Sequence, residues 1–167
     1  WVIRRGRSEQ YDGLLGAINS GSPADIAAAA RRALPAYADG GVVSARDLLA
    51  FAQGASVNGQ RASRPLEGAP YVWGGVNWGD CSGAMSALAN FATGRPAFAS
   101  RFATGNQAQA LSAMGFSSGM GGPNDFSIGW FNGGPWGGHT SGTIAGVNVE
   151  MGGGRGNGQI GGAASPA

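Results

Sequence analysis

The sequence has no lysine, one cysteine and one histidine among its 167 residues. A single cysteine excludes an internal disulfide framework, so cysteine pairing says nothing about compartment. Charge is scarce: eleven arginines against nine acidic residues leave a net charge of +2, and only Arg4, Arg5 and Arg7 cluster. A phosphate-tracking surface needs a concentrated basic patch, so nucleic-acid binding is not expected. No apolar run approaches the length of a membrane span, and no secretory apolar core is visible. One cysteine, one histidine and scattered carboxylates lack zinc-ligand spacing, and no metal or other cofactor is expected. The chain opens at Trp1 rather than Met and is expected to be part of something longer.

What is abundant is glycine, with 33 residues, the mark of a chain rich in turns and poor in long helices. The length suits one compact domain. Residues 1–43 read as a partly helical leader. Ser22-Pro23 offers an N-cap and first-turn proline for a helix that Pro35 ends. Its Ala27–Ala30 run has helix propensity but little bulk to bury, so a partner is expected to stabilise it. Asp39-Gly40-Gly41 marks the boundary to the domain proper, residues 44–162. There Ser44 and Asp47 form a capping box for a helix to Gln53, with Leu48, Leu49 and Phe51 as its apolar side. A strand is expected before the cysteine, a short helix from Asn106 ending at Gly115, and a strand over residues 125–132. Two strand-like pieces flank Gly146 between Thr140 and Met151. Beyond Met151 that pattern stops, so residues 152–162 read as a loop beside the site or an extended tail, and 163–167 as a tail. Gly154-x-Gly156 is no nucleotide fingerprint, because no helix signal follows it.

The chemistry concentrates where a Gly-punctuated turn, Pro70 to Gly79, gives way to a helical run. Cys81, Met85, Leu88 and Ala92 recur at helical spacing with no charge before Gly94, which predicts a helix buried on most sides. Asp80 is its natural N-cap, and Cys81 its first residue, where the helix dipole favours a thiolate nucleophile. A free cysteine is also a common small core residue. The candidate base is His139, in Gly137-Gly138-His139-Thr140. A nucleophilic cysteine needs such a base and a third polar group to orient the imidazole. If the chain turns back near Gly146, Glu150 lies on the strand beside His139, although spacing alone equally fits an exposed strand-end carboxylate.

Pro70-Tyr71-Val72-Trp73-Gly74-Gly75, Asp80-Cys81-Ser82-Gly83 and Gly138-His139 together resemble the NlpC-type cell-wall peptidases, a papain-like family that cleaves peptidoglycan stem peptides. The segment Val147 to Gly153 is similar to the version near the C-terminus of phage tail tape-measure proteins. The resemblance implies an α+β, papain-like fold in which the cysteine helix packs on a small antiparallel sheet carrying His139 and Glu150. It also implies Cys81 as nucleophile, His139 as base and Glu150 as orienting residue, a departure from the family's usual His, Asn or Gln. Tyr71 and Asp80 match positions that hold the stem peptide. The activity implied is hydrolysis of a stem-peptide amide bond, without a cofactor, at the bacterial cell wall. The setting implied is a virion tail or extracellular, with phage tail proteins and self-association as partners. The alternative is a catalytically silent structural or cell-wall-binding component of a phage tail tip.

Two further readings bear on the same stretch and on the aromatic residues. Residues 79–83 also fit a nucleophile elbow, with Asp125 and His139 following in the order of an α/β-hydrolase triad. The chain lacks the strand-helix alternation of that fold. Among the aromatics, Trp73 and Trp130 read as core and turn packing. Trp136, three residues before His139, reads as a wall of the cleft.

Overall fold

The computed structural model describes residues 2–4, 43–119, 121–133 and 137–167. The expected leader helix and Trp136 lie outside them. The described fold is α+β, built on an antiparallel sheet and a few helices. In chain order the elements are β1 (Val2–Arg4), α1 (Ala45–Ala52), α2 (Cys81–Ala92), α3 (Gln107–Ala113), β2 (Ser117–Ser118), β3 (Phe126–Phe131), β4 (His139–Ile144), β5 (Val147–Gly152) and β6 (Asn157–Ile160). Strands β3 to β6 form a meander in sequence order, and β1 then β2 extend it beyond β3.

The capping box of α1 forms as its sequence predicts. The Asp47 N–H donates to Ser44 Oγ at 3.0 Å, and the Ser44 N–H donates back to the Asp47 carboxylate at 3.1 Å. This fixes the entry of the chain and turns Leu48, Phe51 and Ala52 into the core. The ring of Phe51 stacks on Phe91 of α2 with centroids 4.1 Å apart, and the edge of Trp78 meets it from another side.

Helix α2 is the centre of the molecule. Ten of its twelve residues are buried, and it packs on both β4 and β5. An apolar helix buried this fully must satisfy its few polar side chains internally. Ser86 Oγ donates to the Ser82 carbonyl and accepts the Phe102 N–H. Asn90, wholly buried, donates to the carbonyls of Ala97 and Ser100 and so binds the segment after the helix to its side. Thr93 caps the end, and the Gly94 and Pro96 that follow prevent continuation.

Two expectations fail. No strand leads directly into α2: residues 71–79 are loop and turns, and between α1 and α2 the chain makes only isolated bridges, Val57 with Gln60 and Pro70 with Asn157. The chain beyond Met151 is not all loop or tail either. After a short 3-10 turn, Gly153–Arg155, it forms β6 against β5, with Glu150 opposite Gln159. The segment read as a tail lies against the sheet, with Ala164 buried and the Ser141 hydroxyl donating to the Pro166 carbonyl.

Candidate active site

The turn that delivers Cys81 is unusual in its backbone. Asn77, Trp78 and Gly79 all take positive φ, of 57°, 82° and 58°. For an aromatic residue such a conformation is costly and persists only when packing over-determines it. Trp78 is 1 % exposed, its indole N–H donates to the Arg64 carbonyl at 3.0 Å, and its ring meets Phe51 and Phe98 edge-on. The buried indole thus anchors the turn.

Asp80 then locks that turn to the helix. Its Oδ1 accepts the Gly83 N–H and the Ser82 hydroxyl, and its Oδ2 accepts the Gly74 N–H at 2.7 Å. Arg101 adds two contacts of 2.7 Å, one to each oxygen, and donates to the Gly75 carbonyl. Burial alone would raise the pKa of this carboxyl. The Arg101 guanidinium, the two N–H groups and the Ser82 hydroxyl outweigh it and hold Asp80 below the ordinary aspartate range. Asp80 is 4 % exposed and does not line the cleft. The part the structure gives it is N-cap and latch.

Cys81, at the first position of α2, lines a cleft of about 740 Å³ together with Tyr71, Trp73, Phe131 and His139. His139 begins β4, opposite Phe131 of β3. The next residue holds it there: the Thr140 hydroxyl donates to the Gly129 carbonyl and accepts from the buried Gln107 amide of α3. On the other neighbouring strand, Glu150 Oε1 lies 2.6 Å from His139 Nε2. That leaves Nδ1 for the thiol. The pKa of His139 is raised above the ordinary histidine value, first by the neighbouring Cys81 thiol. Partial burial opposes the rise, and the hydrogen bond with Glu150 supports it. A Cys–imidazole–carboxylate relay of this form can hold a thiolate beside an imidazolium, the state of a nucleophile ready to attack a carbonyl.

Glu150 is not the exposed strand-end carboxylate that spacing alone allowed. It is 1 % exposed, and its oxygens also accept the Ser165 N–H at 2.9 Å and the Ser165 hydroxyl at 3.2 Å. Gly153, at φ +56°, folds over it. A Cβ there would come within 2.5 Å of the carboxylate, so only glycine fits.

Of the residues singled out from sequence, Cys81, His139 and Tyr71 line the cleft, and Glu150 lies buried behind His139. Tyr71 packs against Gly152, and its pKa is raised, chiefly by burial and then by the charge of Cys81 and Asp80. Trp73, read as core or turn packing, is instead 77 % exposed on the cleft wall, and Phe131 is 58 % exposed there. Trp130 is half-buried against the core. Asp125 bonds the Gly122 N–H and lies by the β4–β5 turn, at the far end of β4 from His139. The order of a hydrolase triad is therefore present in sequence but not in space. Arg101 and Ser165 carry no signal in the sequence. Neither stands in a motif, and only the folded chain shows what they hold.

Comparison with protein-family models, with characterised proteins and with solved structures finds no match to this chain. Among the described residues, no helix is long and apolar enough to cross a membrane.

Proposed function

We propose that this chain is a cysteine peptidase that hydrolyses an amide bond in peptidoglycan stem peptides, with a papain-like arrangement of its site. The observation that carries the reading is the 2.6 Å contact of Glu150 with His139 Nε2, made beside Cys81 at the start of a buried helix and in the floor of an open cleft. In the reaction, Cys81 Sγ attacks the scissile carbonyl carbon as thiolate, its proton resting on His139 Nδ1. The N–H groups at the start of α2, that of Cys81 among them, meet the oxyanion. His139 gives its proton to the leaving amine, the C–N bond breaks and an acyl-enzyme remains. Water, deprotonated by His139, attacks the thioester, and collapse releases the carboxylic acid and restores the thiol.

The substrate class rests on the resemblance of residues 70–83 and 138–139 to NlpC-type peptidases, and the phage-tail setting on the similarity of residues 147–153. The aromatic cleft supports a peptide substrate: Tyr71, Trp73 and Phe131 offer flat apolar contact around the nucleophile. The test is digestion of purified peptidoglycan by the chain, by Cys81→Ala and by His139→Ala, with products read by mass spectrometry. New stem-peptide fragments from the parent alone are expected. A folded parent that releases none leaves the chain a structural or cell-wall-binding component of the tail.

A further inference from the structure

The face of β4 and β5 turned from the core is polar. Val149 and Met151 belong to the core, so strand alternation puts Asn148 and Glu150 on the opposite face. Ser141 pairs with Glu150 and Thr143 with Asn148 across the two strands. Such a face commonly meets water. Here Ser141 is 6 % and Glu150 1 % exposed, because residues 164–167 run over them. Asn148 Nδ2 donates to the Ala164 carbonyl at 3.2 Å, Ser141 Oγ donates to the Pro166 carbonyl at 2.7 Å, and the Ala167 N–H donates to Thr143 Oγ1 at 3.1 Å. Between these anchors Ser165 turns both of its donors onto the Glu150 carboxylate, N–H to Oε2 and hydroxyl to Oε1.

We propose that Ser165 is a positioning residue for the candidate site, clamping the Glu150 carboxylate so that Oε1 faces His139 Nε2. Its effect on turnover rests on the peptidase reading above; its effect on the imidazole does not. A carboxylate removed from water needs donors for both oxygens. Ser165 provides the one to Oε2 and shares Oε1 with the imidazole. With Oε2 held, rotation of the carboxylate is blocked and the oxygen presented to the imidazole is fixed. The main-chain contact is the shorter of the two, so it carries more of the clamp.

Three full-chain variants test this. Ser165→Pro removes the N–H and the hydroxyl together, Ser165→Ala removes the hydroxyl alone, and Ser141→Ala loosens the segment without touching a donor to Glu150. Because His139 is the only histidine, its imidazole ¹⁵N–¹H signals are unambiguous, and a short hydrogen bond to carboxylate places the Nε2–H proton far downfield. That signal is expected to be lost in Ser165→Pro, shifted in Ser165→Ala and kept in Ser141→Ala. On the substrate cleaved by the parent, kcat is expected to fall about tenfold or more in Ser165→Pro, with KM changed by less than about twofold.

An unchanged Nε2–H signal in folded Ser165→Pro overturns the proposal. If that variant does not fold, an unchanged signal in Ser165→Ala overturns it equally. So does an equal loss in Ser141→Ala, which would mark general loosening. If the signals respond as expected while the parent hydrolyses nothing, the clamp stands and the peptidase reading falls.

Discussion

Glu150 shows how one side chain sets the state of another. Its Oε1 touches His139 Nε2 at 2.6 Å, and its charge favours the imidazolium. In a Cys–His peptidase the reactive form keeps that proton, so the alkaline fall in kcat/KM reports its loss. Glu150→Gln keeps a hydrogen-bond acceptor but removes the charge. The alkaline limb is therefore expected to move to lower pH, and kcat/KM at neutral pH to drop by roughly tenfold to a hundredfold, the size of a lost charge-assisted hydrogen bond. A pH series of initial rates on the parent and the variant decides this. An unmoved limb would mean that Glu150 orients the ring without tuning its proton affinity.

At the scale of elements, the parts legible in the sequence are those where local signal and tertiary role agree. Apolar spacing from Cys81 to Ala92 and the cap at Asp80 set out α2, and Ser44 with Asp47 set out α1. Apolar residues from Phe126 to Phe131 did the same for β3. Strand β6 was hidden because Asn157-Gly158-Gln159-Ile160 carries no strand pattern of its own. Gly158 is required there by contact, since the Leu66 carbonyl occupies the space a Cβ would need, and its N–H and carbonyl bond to Ala69 and Gly68. Trp73 misled for a related reason: large aromatics are usually buried, and only the turn geometry left this one on the cleft wall. The Cys81, His139 and Glu150 constellation could be named from sequence, but its clamp at Ser165 could not, because nothing local distinguishes that serine. The 3-10 turn after β5 carries a further expectation. In Gly153→Ala the added methyl meets the Glu150 carboxylate at a positive φ, so stability should fall by about 1 kcal/mol or more. Urea unfolding with unchanged slope would measure it, and activity should fall with it as Glu150 is displaced.

Taken as a whole, the molecule couples its site to its stability through few titratable groups. His139 has a raised pKa in the folded state. It therefore contributes stability that is complete below the unfolded value of about 6.5 and is lost as pH rises through the folded value. Asp80 has a lowered pKa, so its contribution is present above about pH 3.9 and is lost as pH falls through the folded value. Urea midpoints should accordingly decline on the alkaline side, and His139→Gln should remove that histidine-linked part of the decline. An identical alkaline slope in the variant would assign it to other groups. Six of the eleven described residues lining the cleft are glycines, at 133, 137, 138, 152, 153 and 156. A wall made largely of main chain offers few side chains for point substitution to exchange. Divergence in what this cleft accepts is therefore channelled into insertions and deletions in its two glycine-rich rims, and descendants of this chain would differ in rim length before they differed in rim chemistry.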